Sequence, residues 1–293
     1  MGLTEFLNHY KTNDSKSETV SGMNGGKYKI PSNESKRFYK LIRKAISKGE
    51  DVPPLTEKIG KYHPLIFDFD LKYIGSIEQQ YISLELLKAL SELLWICIGD
   101  IIDVSEEIKY NTLYIMTKSK PYPCKKQGYK SKDGIHMIFP KIILDREVYK
   151  ILCNYIQERQ EDLFSIFREH SEIPPSNLDN TLFDGKFCRW LPYLCYKPGE
   201  EPYKLRNVFI MAQGNAEQTN QCLIEGPTSF YTDEKIMNDM SMIRDGLQEN
   251  VCYTEYTQNQ LKSKLSNSSK MVVDTDIYAN YYVDHNNIIN PYK

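Results

Sequence analysis

The stretch HPLIFDFDLKY, residues 63–73, narrows the possible folds of this chain more than any other. Its apolar, aromatic run Leu65–Phe69, preceded by Pro64, is short and reads as a strand. Side chains alternate along a strand, so Phe67 and Phe69 point into a core while Asp68 and Asp70 project together from the other face. Two carboxylates held so close repel unless a cation sits between them. Hard divalent ions such as Mg²⁺ or Mn²⁺ take oxygen ligands, and a pair of them can activate a nucleophile while neutralising a leaving phosphate.

The bare DxD leaves other readings open. Both aspartates can be solvated side chains where a strand runs into a loop. Haloacid-dehalogenase-type phosphatases usually follow the motif with a small residue and Thr, whereas Leu71 and Lys72 follow here. Glycosyltransferases bind a sugar-nucleotide metal through DxD, and the motif alone does not exclude them.

Around this strand the pattern alternates. Residues 11–27 are polar and Gly-rich and read as a loop. Phe38, Leu41, Ile42, Ala45 and Ile46 then recur at helical spacing, with Ser32 or Asn33 as cap and Gly49 as stop. A second helix, capped at Ser83, carries Leu86, Leu87, Leu90, Leu94 and Cys97 and stops near Gly99. Residues 111–118 and 134–140 read as strands joined by a basic loop, and Asp145 caps a further helix. Later, 187–196 and 205–212 read as strands and 232–247 as a helix. From about 253 the polar composition predicts a linker or tail, so the expected organisation is one domain over 1–252 followed by 253–293. Strands interleaved with helices predict an α+β or mixed α/β layer structure.

The chain has 293 residues, 41% of them hydrophobic, enough for a sizeable core. Its 37 basic and 39 acidic residues leave a net charge of -2, so any nucleic-acid surface must be local. The cysteine count is an odd 7 without a CxxC pair, which predicts reduced thiols and an intracellular setting. Cys188 and Cys195 are too poorly spaced to read as a zinc site. The N-terminus lacks an apolar signal core and no uncharged apolar stretch is long enough to cross a bilayer, so a soluble protein is expected.

Further elements carry charge. Residues 117–140 hold Lys118, Lys120, Lys125, Lys126, Lys130 and Lys132, interleaved with Tyr122 and Tyr129. Such a loop can track a phosphate backbone and offer tyrosines to bases; it can equally be a solvated surface loop. His136, flanked by Ile135 and Met137, faces away from both, as a structural histidine or as a triphosphate ligand. Residues 177–200 add Asp179, then Arg189 and Lys197, which suit phosphate as a planar fork and a point charge. Asp184 and Glu172 are rival carboxylates.

Taken in order, an apolar run into DxD, a basic loop into GxHxxxP, then Asp179 with an aromatic four residues on, followed by Arg and Lys, resembles the catalytic core of the archaeo-eukaryotic primase (AEP) superfamily. The likeness is greatest to primase-polymerases and to the N-terminal primase module of large DNA virus primase-helicases, and covers about residues 25–215. It implies an α+β core with a mixed or antiparallel, RRM-like sheet flanked by helices, plus an N-terminal α/β part. It implies two Mg²⁺ or Mn²⁺ ions on Asp68, Asp70 and Asp179, and triphosphate contacts from His136, Arg189 and Lys197. Partners implied are a single-stranded DNA template, NTP or dNTP substrates and a replicative helicase. The setting implied is the site of viral or cellular DNA replication, the host cytoplasm for a cytoplasmic virus. No GxxxxGK[ST] stands in these residues, so they are either a stand-alone primase or one piece of a longer protein, with 253–293 as a linker toward a helicase region. The family usually has Ser-x-His in its second motif. Here Gly134 stands in the Ser place, so the role of that hydroxyl is either dispensed with or taken over by Ser131 or Lys132, and Phe183 stands where a Tyr is common.

Overall fold

The computed structural model describes residues 1–103, 110–171, 173–175, 177–178, 189–212, 221–224 and 233–268. In chain order its helices are α1 (Leu3–His9), α2 (Ser35–Ser47), α3 (Leu84–Ile101), α4 (Arg146–Glu158), α5 (Gln160–His170), α6 (Asp233–Met240) and α7 (Glu255–Ser268). The strands are β1 (Val20–Gly22), β2 (Lys27–Tyr28), β3 (Leu55–Lys58), β4 (Tyr62–Tyr73), β5 (Ile102–Asp103), β6 (Tyr110–Thr117), β7 (Tyr122–Pro123), β8 (Ser131–Asp145), β9 (Asn177–Leu178), β10 (Arg189–Trp190), β11 (Lys204–Ala212), β12 (Gln221–Ile224) and β13 (Cys252–Tyr253). The fold is α+β.

The central 7-stranded sheet runs β12-β11-β6-β8-β4-β9, with β7 added on β8 beyond the end of β6. Its pairings are antiparallel. A second sheet, 4-stranded and also antiparallel, runs β10-β3-β1-β2. The alternation in β4 decides which way the central sheet faces. Phe67 and Phe69 are buried on the side covered by α3 and α4, where Trp95 of α3 stacks on Phe139 at 5.6 Å. Burying such rings contributes roughly 1.5–3 kcal/mol each, enough to hold the strand's register. Pro64 is tolerated because the β4–β8 register shifts between Pro64 and Leu65, so its missing donor falls at a bulge.

The opposite face is covered in two parts. At one end α6 packs on β6, where the Tyr114 hydroxyl donates to Asp239 at 2.7 Å. At the other end the 4-stranded sheet comes down, with Trp190 4.8 Å from His136.

Local signals set three of the helix ends. Ser83 accepts from the Leu86 N–H at 3.0 Å and Asp145 from the Glu147 N–H at 2.8 Å. Gly49 takes φ +68 after α2, letting its N–H reach Ile46 O and the Glu50 N–H reach Ala45 O, a Schellman stop. At its start, a 3₁₀ turn over Ser32–Glu34 precedes α2, so neither Ser32 nor Asn33 caps it by a side chain.

Elsewhere the structure departs from the local patterns. The 11–27 stretch contains β1 and the first residue of β2, the hairpin being held through the pairing of β1 with β3, a contact no local pattern announces. Of 187–196 only Arg189–Trp190 is strand among the described residues, and the helix expected over 232–247 ends at Met240. α3 continues past Gly99 to Ile101. The polar region from 253 is not a bare linker at its start: β13 pairs β5, and α7 packs on α3 and α4 through Leu261 and Thr257, the latter donating to Ile101 O at 2.6 Å. Residues 269–293 lie outside the described residues.

Candidate functional site

Asp68 and Asp70 stand on the same face of β4, and the adjacent strand sets a cation or cation precursor against each. Asp68 pairs directly with His136 in register, and His136 Nε2 lies 3.4 Å from Asp68 Oδ1. Asp70 faces Gly134, and the next residue on that face, Lys132, reaches back to Asp70 Oδ2 at 2.6 Å. The opposing strand therefore offsets the like-charge repulsion of the pair. Burial opposes ionisation of Asp68, but His136, Lys197 and Lys132 outweigh it and hold the carboxyl below its usual range.

The pair opens into a cavity of about 450 Å³ whose other wall comes from the 4-stranded sheet and the segment after it. Ser21, Thr56 and Arg189 belong to that sheet; Lys197 and Tyr203 follow it. Arg189 is a fork anchored behind: its guanidinium donates to the Ser21 hydroxyl and to Glu18, both at 2.5 Å. Glu18 is buried, and its other oxygen has no partner.

A second cavity of about 630 Å³ is lined by Lys132, whose ammonium bonds Asp70 of the first. Lys118, Lys120, Lys125, Lys126 and Tyr122 line it, together with Lys72. The basic stretch is thus no free loop, because β7 ties Tyr122 and Pro123 to Lys132 and Ser131 of β8. Lys118 is a correction within it. Its side chain is only 3% exposed, paired with Glu200 at 2.6 Å and 3.7 Å over the Tyr122 ring, so it braces the wall instead of projecting to a ligand. Lys130 and Tyr129 do not line either cavity; the Lys130 N–H bonds Tyr73 O at 2.9 Å, and the Lys126 ammonium sits 5.8 Å over the Tyr129 ring.

Ser131 is not brought to the site. It lies on the opposite face of β8 from His136, fully buried, and its hydroxyl donates to Gly75 O at 2.8 Å. Asp179, Asp184, Glu172, Cys188 and Phe183 lie outside the described residues. β9 pairs Leu178 with Leu71, next to Asp70.

Tyr203 and Trp190 carry the largest structural role that sequence reasoning missed. The Tyr203 ring is stacked on His136 with centroids 3.6 Å apart and an interplanar angle of 15°. Neither residue sits in a repeating pattern that marks it. Burial pushes the hydroxyl of Tyr203 far above its ordinary range, so it stays neutral.

A sequence model of the family described as "C962R protein N-terminal AEP domain" matches residues 18–209 of the 293. The chain belongs to this AEP family. The matched span takes in β1 through most of β11, hence both walls of the carboxylate cavity. It agrees with the range over which the ordered motifs resemble primases, and takes in the central antiparallel sheet except β12 and the end of β11. No curated protein matches the chain. Among the described residues no group of three or more His, Cys, Asp or Glu forms a metal cluster, and no helix is long and apolar enough to cross a membrane.

Proposed function

We propose that this AEP domain is a primase-like nucleotidyltransferase that starts or extends primers on a single-stranded DNA template. The observation that carries the reading is the Asp68–Asp70 pair opening, with His136, Arg189 and Lys197, into one cavity of about 450 Å³. That lining joins acidic oxygens to phosphate-binding cations, which a pure binding module has no use for.

The donors fit a hard divalent cation. Asp68 and Asp70 offer oxygen ligands on one face, and Asp68 Oδ1 is buried without a hydrogen-bond partner. Asp68 and Asp70, with Asp179, would hold Mg²⁺ or Mn²⁺. Such ions lower the pKa of an attacking hydroxyl and neutralise charge on a transferring phosphoryl group. In the transfer a 3′-hydroxyl oxygen bonds the α-phosphorus, the bond to the β-phosphate oxygen breaks, diphosphate leaves and the hydroxyl proton passes to solvent. The chain's own residues orient the reactants. Arg189 would present its fork and Lys197 a point charge from the wall facing the carboxylates, so the triphosphate meets cations opposite Asp68 and Asp70. His136 Nε2 offers a contact between Asp68 and the phosphates. Lys132 bonds Asp70 and lines the larger cavity, so it can follow negative charge from one cavity to the other. Lys120, Lys125 and Lys126 with Tyr122 would take the template's phosphates and bases, and a replicative helicase, in cis or in trans, is the partner this assignment calls for.

The test is to incubate the protein with unprimed single-stranded DNA and labelled ribo- or deoxynucleotides in Mg²⁺ or Mn²⁺, beside an Asp68→Ala, Asp70→Ala double variant. Short products from the wild type alone support the reading. Extension of primed templates only would make it a polymerase that needs a partner to start. Salt-sensitive DNA binding without synthesis on either template overturns it in favour of a binding module.

A further inference from the structure

Gly134 faces Asp70 across the β4–β8 pair, and the space above it is filled by a residue from far along the chain. A Cβ built at Gly134 would lie 2.1 Å from the Tyr203 hydroxyl and 3.1 and 3.3 Å from two of its ring carbons. The absence of a side chain at 134 is what lets Tyr203 reach across the sheet. Once there, its ring lies flat on the imidazole two residues along the same strand face, 3.6 Å between centroids.

The arrangement is braced from behind. The Lys118 ammonium sits 3.7 Å over Tyr122 and 5.4 Å from the Tyr203 centroid, and pairs with Glu200, three residues before Tyr203, at 2.6 Å. The segment carrying Tyr203 is therefore pinned twice to the 118–122 region. Trp190 also lies against the imidazole, its ring centroid 4.8 Å away and tilted by 41°. An imidazole stacked on one ring and touching a second cannot leave its plane without breaking a contact, so its Cε1–Nε2 edge stays turned toward Asp68, and the 3.4 Å approach of Nε2 to Oδ1 selects the flip.

We propose that Tyr203 is a positioning residue for His136, and that Gly134 is glycine because the Tyr203 hydroxyl occupies the place of its side chain. The proposal rests on the nucleotidyltransferase reading for the identity of the ligand, a nucleoside triphosphate, though not for the geometry. Its consequence is that Gly134 and Tyr203 act as a unit. Adding a methyl at 134 should undo the stack as surely as removing the ring, and deleting the hydroxyl should relieve most of the conflict, leaving ring contacts of 3.1 and 3.3 Å that a shift of a few tenths of an ångström in the ring absorbs.

The experiment uses the full chain and four variants: Tyr203→Phe, Tyr203→Leu, Gly134→Ala and the double Gly134→Ala/Tyr203→Phe. Two readouts are taken. In protein labelled at histidine, the His136 ring protons report the ring current of the stacked tyrosine. They should keep their upfield shift in Tyr203→Phe and lose it in Tyr203→Leu and Gly134→Ala. In primer extension, the nucleotide KM should rise about tenfold in Tyr203→Leu and Gly134→Ala with kcat changed less than about twofold, and return to within about threefold of wild type in the double variant. A nucleotide KM within about twofold of wild type in Tyr203→Leu, with the His136 resonance displaced, overturns the proposal. So does a double variant no better than Gly134→Ala. If the wild type synthesises nothing on any template, the functional reading falls by itself. The dissociation constant of a fluorescent nucleoside triphosphate then replaces KM, with the same order of variants expected and a flat series overturning the inference.

Discussion

The β4–β8 strand pair and the 4-stranded sheet build facing walls of one cavity by different physics. In β4–β8 the functional side chains are the alternate members of a strand whose other members are locked into the core, so Asp68, Asp70, Lys132 and His136 share a face by register alone. In the 4-stranded sheet, strands of two to four residues drawn from residues 20, 27, 55 and 189 carry no comparable pattern, and the wall is held by buried polar contacts. Arg189 leans on buried Glu18, and Glu57, fully buried, accepts from the Tyr39 hydroxyl, from Ser241 at 3.2 Å and from the Met242 N–H at 3.0 Å. One wall tolerates loss of its charges, and the other depends on its own.

That contrast can be broken by substitution. The largest effect is expected from Asp70→Ala, which should lower nucleotide incorporation at least about 100-fold while the melting temperature stays near wild type, since Asp70 and Lys132 are both partly solvated. A melting temperature that collapses with the activity would erase the difference between the walls. On the other side, Trp190→Ala should cost about 3–5 kcal/mol in denaturant unfolding, because Trp190, on β10 of the small sheet, is buried against His136.

The pH dependence sharpens the same point. Burial raises Glu57 to about 8 from its ordinary 4.5, opposed by the Met242 and Ser241 hydrogen bonds. The folded state thus holds this proton more tightly than the unfolded chain. Stability from Glu57 is present in full below about pH 4.5 and is lost as pH rises through about 8, at up to about 1.4 kcal/mol per pH unit. The denaturant midpoint should fall over that window and fall less in Glu57→Gln; an equal fall in both would assign the effect elsewhere.

A smaller loss, about 1–3 kcal/mol, is expected for Arg189→Ala, which strands the buried Glu18 carboxylate; Glu18→Gln in the same chain should recover part of it. The smallest effect belongs to the lysine-lined cavity. Lys125→Ala and Lys126→Ala should each flatten the salt dependence of single-stranded DNA binding by about one ion without changing its sequence preference.

Legibility in the sequence follows the same division. The β4 strand, the caps at Ser83 and Asp145 and the stop at Gly49 are readable because each rests on residues within a few positions of one another. The N-terminal hairpin is not, since its stability comes from β3 some thirty residues on. α7 is hidden because a helix that buries chiefly Leu261 and Thr257 has the composition of a tail. Lys118 shows the reverse error: a lysine in a basic run reads as solvated, yet Glu200 and Tyr122 enclose it. Ser131 stands close enough in sequence to substitute for the hydroxyl that Gly134 lacks, and strand alternation turns it away.

By itself the sequence determined the carboxylate pair, its strand, and the order of motifs that marks an AEP chain, because strand periodicity and motif spacing are local or ordered properties. Only the tertiary structure decided which cation meets which carboxylate, that Arg189 and Lys197 close the same cavity, and that Tyr203 occupies the space Gly134 leaves. Those depend on strand register and on contacts between residues tens of positions apart, which packing sets and no local pattern encodes.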